Sequence, residues 1–120
     1  MTTALFWFRK DLRLKDNIAW AKACEAHRIH PVLVLEPELI SNAGSYRRRQ
    51  FFLNVSALAA EIKSIGGKLS VIQGPAKDVL PRYISENNVD CIYFNADTSP
   101  FSRQRDEQLA KEISIPINTF

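Results

Sequence analysis

Glycine is scarce in this chain: only Gly44, Gly66, Gly67 and Gly74 occur, and none lies just after the first apolar run, Ala4–Phe8. Neither G-x-G-x-x-G nor GxxxxGK[ST] is present, which argues against an ordinary dinucleotide or Walker-type triphosphate site. Cysteine is limited to Cys24 and Cys91, far apart and without CxxC or metal-ligand spacing, so they read as reduced thiols of a cytoplasmic protein. No purely apolar run exceeds five residues, too few to span a bilayer. The start, MTTALFWFRKD, lacks the basic segment, long apolar stretch and cleavage site of a signal peptide. There is no GxSxG and no visible Ser-His-Asp set. His27 and His30, three apart at a helix end, read as partners of the helix dipole rather than metal ligands. No catalytic constellation and no metal site is expected.

What is present is an average globular composition, 46% apolar and 24% charged, in 120 residues, enough for one domain. Five short apolar runs read as strands: Ala4–Phe8, Pro31–Leu35, Leu69–Gln73, Cys91–Asn95 and Ile115–Phe120. Most are continuous rather than alternating, as strands of a parallel sheet covered on both faces should be. Helical periods separate them. Asp16–His27 opens on an Asp that can cap. Tyr46–Ile65 carries the stripe Phe51, Val55, Leu58, Ile62 and Ile65 before a Gly66-Gly67 stop. Two more helices open at Gly74-Pro75 and Ser99-Pro100, with Pro in the first turn. This strand–helix alternation predicts an α/β, Rossmann-like doubly wound five-stranded parallel sheet, order 3-2-1-4-5, with helices on both faces.

Such sheets bind ligands beyond the carboxyl ends of their strands, where the strand order reverses. Here that is the crevice between strands one and four, walled by Arg9–Lys15 and by Asn95–Pro100. The stretch FWFRKDLRLKDN therefore stands at its lip. Helix N-termini disfavour cations, yet the second helix opens YRRR and the fourth SPFSRQR. Nine Lys/Arg residues (9, 10, 13, 15, 47, 48, 49, 103 and 105) are thus expected along one sheet edge. Two readings stand: a solvated rim paired with Asp11, Asp16, Asp97, Asp106 and Glu107, or a surface for an anionic or polar-ring ligand or an acidic partner.

FWFRKDLRLKDNIAW resembles W-[FH]-R-x-D-L-R-x-x-D-N-x-A, the opening signature of the DNA photolyase/cryptochrome family. Further matches follow in order. LEPEL stands at the family's acid-Pro pair after strand two. Arg49, Phe52, Leu53 and Ser56 resemble its R-x-x-F-L-x-x-S-L helix, with one extra residue before Leu58. GGKLSVIQGPAKDVLP and FNADTSPFSRQRDEQL match its third-strand and fourth-strand motifs. The whole chain, 1–120, is similar to the family's N-terminal antenna domain, and is expected to be a piece of a longer protein.

The resemblance implies a light-harvesting chromophore, a deazaflavin or methenyltetrahydrofolate, bound by this domain. It places FAD, the pyrimidine dimer and the electron-transfer tryptophans in a C-terminal helical domain. Matched to deazaflavin binders, the contacts fall on Lys10, Asp11, Arg49, Asp97 and Ser99. Matched to folate binders, they fall around Asn42–Gly44 and on Phe101 and Ser102. Phe101 and Ser102 stand where folate binders have Asn-Glu, and Ser99 where many deazaflavin binders have an acid. Much of RKDLRLKD is expected to tie the loop to its own domain. The implied parent is a deoxyribodipyrimidine photolyase, with a cryptochrome photoreceptor as the alternative. A universal-stress or electron-transfer-flavoprotein type of nucleotide module and a basic nucleic-acid binder are the competing classes.

Overall fold

The computed structural model describes residues 2–9, 12–26, 28–36, 44–96 and 100–120, without the side chains of Ala26, Phe101 and Ser102. Along the chain run β1 (Thr3–Phe8), α1 (Ile18–Ala26), β2 (Arg28–Leu35), α2 (Ser45–Ser64) and β3 (Ser70–Gln73). They are followed by α3 (Ala76–Asn87), β4 (Cys91–Phe94), α4 (Pro100–Glu112) and β5 (Ile117–Thr119). The strands form one sheet in the order β3-β2-β1-β4-β5, and every neighbouring pair is parallel. This is the expected α/β topology.

β1 lies at the centre and shows why its sequence is apolar without interruption. Side chains alternate across a strand, so Leu5 and Trp7 point to one face and Phe6 and Phe8 to the other. Leu5 and Trp7 join Val32, Leu80, Ile92, Phe94 and Leu109 beneath α3 and α4. Phe6 and Phe8 join Ala19, Ala23, Leu33, Leu58 and Ile62 beneath α1 and α2. From Ala4 to Phe8, where β1 is buried on both faces, no position is left for a polar side chain.

Local departures from expectation have local causes. Asp16 does not cap α1; it occupies the left-handed region at φ 55°, and Asn17 becomes the cap, its Oδ1 accepting the Trp20 N–H at 3.0 Å. Aspartate tolerates that backbone, and the turn it makes delivers Asn17 to the helix end. Ile65 is exposed rather than part of the buried stripe. It sits past the last turn of α2 as its C-cap, and Gly66 then takes φ 88°, the left-handed stop that the Gly-Gly pair predicted. Pro75 stands just before the first residue of α3 rather than within it, at ψ 133°. β2 starts three residues earlier than predicted, at Arg28, whose N–H donates to the Thr2 carbonyl at 2.9 Å. His27 lies outside the described residues.

Candidate functional site

β2 leaves β1 toward one edge of the sheet and β4 lies on its other side, so the crevice opens beyond the carboxyl ends of β1 and β4. Its floor is set by Arg9, the first residue after β1, and Asn95, the first after β4.

Arg9 is not a rim residue. Its side chain is only 3% exposed. Nη1 donates to Asp106 Oδ2 at 3.0 Å and lies 3.5 Å from the Asn95 carbonyl oxygen. Its guanidinium carbon lies 5.0 Å from the ring centroids of both Trp7 and Phe94. Arg105 approaches the same indole at 4.9 Å and donates through Nη1 to Glu36 Oε1 at 2.8 Å. Two of the nine cations placed on the sheet edge are therefore half-buried or buried, each paired with a carboxylate and laid against aromatic faces. They hold β1, β2 and α4 together at the crevice floor.

The amino end of α1 is also committed. Asn17 Nδ2 donates to the Arg13 carbonyl at 2.9 Å, while its Oδ1 accepts the Trp20 N–H. Asn95 Nδ2 donates to Asn17 Oδ1 at 2.7 Å, and Asn95 Oδ1 accepts the Ala19 N–H at 3.3 Å. In dinucleotide-binding folds the corresponding helix end holds pyrophosphate. Here two side-chain amides occupy its first donors, which accounts physically for a first loop without glycine. Sequence reasoning placed Asn95 in the crevice wall and in the fourth-strand motif but gave its side chain no role; the available signal was an amide placed directly after an apolar strand.

The rest of the opening loop divides by residue type. Leu12 and Leu14 are half-buried against the Phe6–Phe8 side of the core, while Arg13, Lys15 and Asp16 are exposed. Trp20 closes this side, with ring centroids 5.2 Å from Phe6 and 5.5 Å from Phe8. RKDLRLKD is thus an anchored loop, with its leucines inward and its described charges outward except for Arg9.

Of the residues named for chromophore contact, Lys10, Asp11, Asp97 and Ser99 lie outside the described residues, as do the side chains of Phe101 and Ser102. Asn42 and Ala43 lie outside them too. Arg49 is described and exposed. At 100° per residue it stands about 150° around α2 from the stripe Phe51, Val55, Leu58 and Ile62 that packs on the sheet. The motif residues Phe52 and Leu53 are likewise outward, 44% and 56% exposed. Burial pushes the Cys91 thiol above the ordinary range, and Asp90 pushes it further; Cys24 is surface-exposed, and only partial desolvation raises its thiol. Neither is poised as a thiolate nucleophile.

The fold defines a Rossmann-like α/β domain whose α1 amino end carries the side-chain amides of Asn17 and Asn95. The family model for DNA photolyase matches residues 4–119. The chain belongs to the DNA photolyase family. A deoxyribodipyrimidine photo-lyase of Synechococcus sp. is 30% identical over 109 residues, 88% of this chain and 22% of that protein. Cryptochrome-1 of Macaca fascicularis is 35% identical over 120 residues, 95% of this chain and 20% of that protein. An archaeal photolyase of Sulfolobus tokodaii, described with two FAD molecules and the implication of a novel light-harvesting cofactor, superposes with a TM-score of 0.89. It is 32% identical, and the match covers 99% of this chain and 29% of that one. A cryptochrome of Synechocystis sp. superposes at 0.85 with 26% identity, over 100% of this chain and 27% of its own. The chain thus spans about a fifth of the length of the curated relatives it matches.

Proposed function

We propose that this chain is the N-terminal light-harvesting domain of a deoxyribodipyrimidine photolyase, holding an antenna chromophore in the crevice between β1 and β4. The observation that carries the reading is the match to the DNA photolyase family from residue 4 to 119, on a fold whose first loop carries no glycine and whose α1 amino end is occupied by Asn17 and Asn95. The chromophore absorbs near-UV or blue light and passes the excitation without radiation to a reduced flavin held by a C-terminal helical domain. Splitting of the pyrimidine dimer, and contact with damaged DNA, belong to that larger protein, in the cytoplasm. The candidate ligand contacts are Lys10, Asp11, Arg49, Asp97, Ser99, Phe101 and Ser102. The candidate chromophores are a deazaflavin, methenyltetrahydrofolate and, from the Sulfolobus tokodaii relative, a second FAD.

A cryptochrome photoreceptor is the second reading, supported by the 35% identity to Cryptochrome-1. It shares the crevice and differs in what the flavin domain does.

The test is an absorption spectrum of the purified chain after incubation with each chromophore and gel filtration. A retained near-UV or visible band at one chromophore per chain is expected with one of the three. No retained band with any of them overturns antenna binding by this chain.

A further inference from the structure

From Ser45 to Ala60, α2 contains three arginines and no acid. Arg47, Arg48 and Arg49 are exposed, and none forms an ion pair or side-chain hydrogen bond among the described residues. This is an unfavourable place for them, because the first turn of a helix already carries partial positive charge, and Gly44 supplies no side-chain cap to offset it. Two acids of the same sheet edge, Glu36 and Asp106, are paired with Arg105 and Arg9. Aromatic rings flank the cations. Tyr46 is 80% exposed, and the exposed ring of Phe52 is braced by Phe51 at 5.5 Å in a T-shaped contact.

Positions three apart are neighbours on a helix surface. Tyr46, Arg49 and Phe52 therefore form a row, ring–guanidinium–ring, that rises about 9 Å along α2 and winds about 120° around its exposed side. Arg47 and Arg48 lie beside its amino end. The row alternates a stacking surface with a phosphate-binding group. Arginine and aromatic groups interleaved in this way are the means by which proteins hold single strands without reading sequence. An acidic peptide would use the cations but not two open rings. An anionic membrane would use both, and is separated by the test.

We infer that the amino-terminal half of α2 is a binding surface for single-stranded nucleic acid. It shares Arg49 with the candidate chromophore contacts, whereas Tyr46, Arg47, Arg48 and Phe52 belong to it alone, and the inference does not rest on the antenna reading. The strand runs along Tyr46, Arg49 and Phe52, bases against the rings and phosphates against Arg47, Arg48 and Arg49.

The probe is fluorescence anisotropy of labelled dT12 and rU12 with the purified chain at 50 and 200 mM salt. Three phosphate contacts on a single strand predict roughly a 20-fold loss of affinity over that range. Arg47→Glu/Arg48→Glu should flatten the salt dependence, whereas Tyr46→Ala and Phe52→Ala should weaken binding about 10-fold with its slope unchanged. All four positions are outside the core, and circular dichroism confirms that the variants are folded. Arg28→Glu/Lys111→Glu makes the same charge change at the opposite edge of the sheet and should leave binding intact. The inference is overturned by no binding at 50 mM salt, by equal loss in the control variant, by equal affinity for a duplex, or by binding to vesicles containing phosphatidylserine with none to dT12.

Discussion

Asp106 and Arg9 are 97 residues apart in the chain, and their bond is what turns a basic loop into the floor of a crevice. Removing one partner of a buried pair costs about 3–5 kcal/mol. Asp106 keeps some solvent contact, so Asp106→Ala should cost about 3 kcal/mol in urea unfolding, at the low end of that range. Arg9→Met combined with Asp106→Leu should recover most of the loss, because both charges are then removed. A double variant as unstable as the single one would show that Arg9 acts by packing on Trp7 and Phe94 instead. The pair also shows what a sequence conceals. Arg9 and Arg105 look the same as Arg13 and Arg103 in the chain, and only the distant carboxylates and the indole of Trp7 decide which cations are buried. Cys91 supplies a second test at this scale. Burial and Asp90 raise its thiol above the ordinary range, so the folded protein holds that proton more tightly than the unfolded chain does. The resulting stabilisation is complete below the ordinary thiol pKa and is lost as pH rises through the folded value. Stability measured by urea from neutral to strongly alkaline pH should fall less steeply in Cys91→Ala than in the wild type.

At the scale of the element, α1 is governed by its first residues. Asp16 and Asn17 are both good caps by residue type, and periodicity does not separate them. The choice follows from the left-handed turn at Asp16 and from Asn95, which arrives from β4 to share the helix end with Asn17. Asn95→Ala removes an acceptor from the Ala19 N–H and a donor from Asn17 Oδ1. It should cost about 1–2 kcal/mol, the scale of a lost cap. Amide hydrogen exchange at Ala19 should accelerate while that of α4 stays unchanged. Uniform acceleration across the protein would mean that Asn95 supports the whole sheet rather than this helix end. α2 presents the reverse case. Its buried stripe, Phe51, Val55, Leu58 and Ile62, was legible from spacing. The resemblance instead drew attention to Arg49, Phe52 and Leu53, which share the outward side. A pattern of residue types can match in two registers, whereas packing selects one. Leu58→Ala should therefore cost about 2–5 kcal/mol and Leu53→Ala within about 0.5 kcal/mol.

The whole molecule is two half-cores divided by one sheet, and its two tryptophans fall one to each side. Trp7 packs with Leu80, Ile92 and Leu109 beneath α3 and α4, and Trp20 packs on Phe6 and Phe8 beside α1 and α2. This division was readable in advance, because uninterrupted apolar strands between amphipathic helices leave few other arrangements. The occupants of the crevice were not, since ligand contact depends on loop side chains whose partners are distant in sequence. The half-cores share β1, whose side chains from Leu5 to Phe8 alternate between them, so neither face can lose its packing without releasing the strand that supports the other. Unfolding should accordingly be one cooperative transition. Trp20→Phe leaves Trp7 to report the α3–α4 side, and Trp7→Phe leaves Trp20 to report the α1–α2 side. In each variant the fluorescence midpoint in urea should coincide with that of far-UV circular dichroism. An early fluorescence transition in the Trp7→Phe variant alone would show that α1 and α2 come away first. The sheet would then hold α3 and α4 without them, and the coupling assigned to β1 would be wrong.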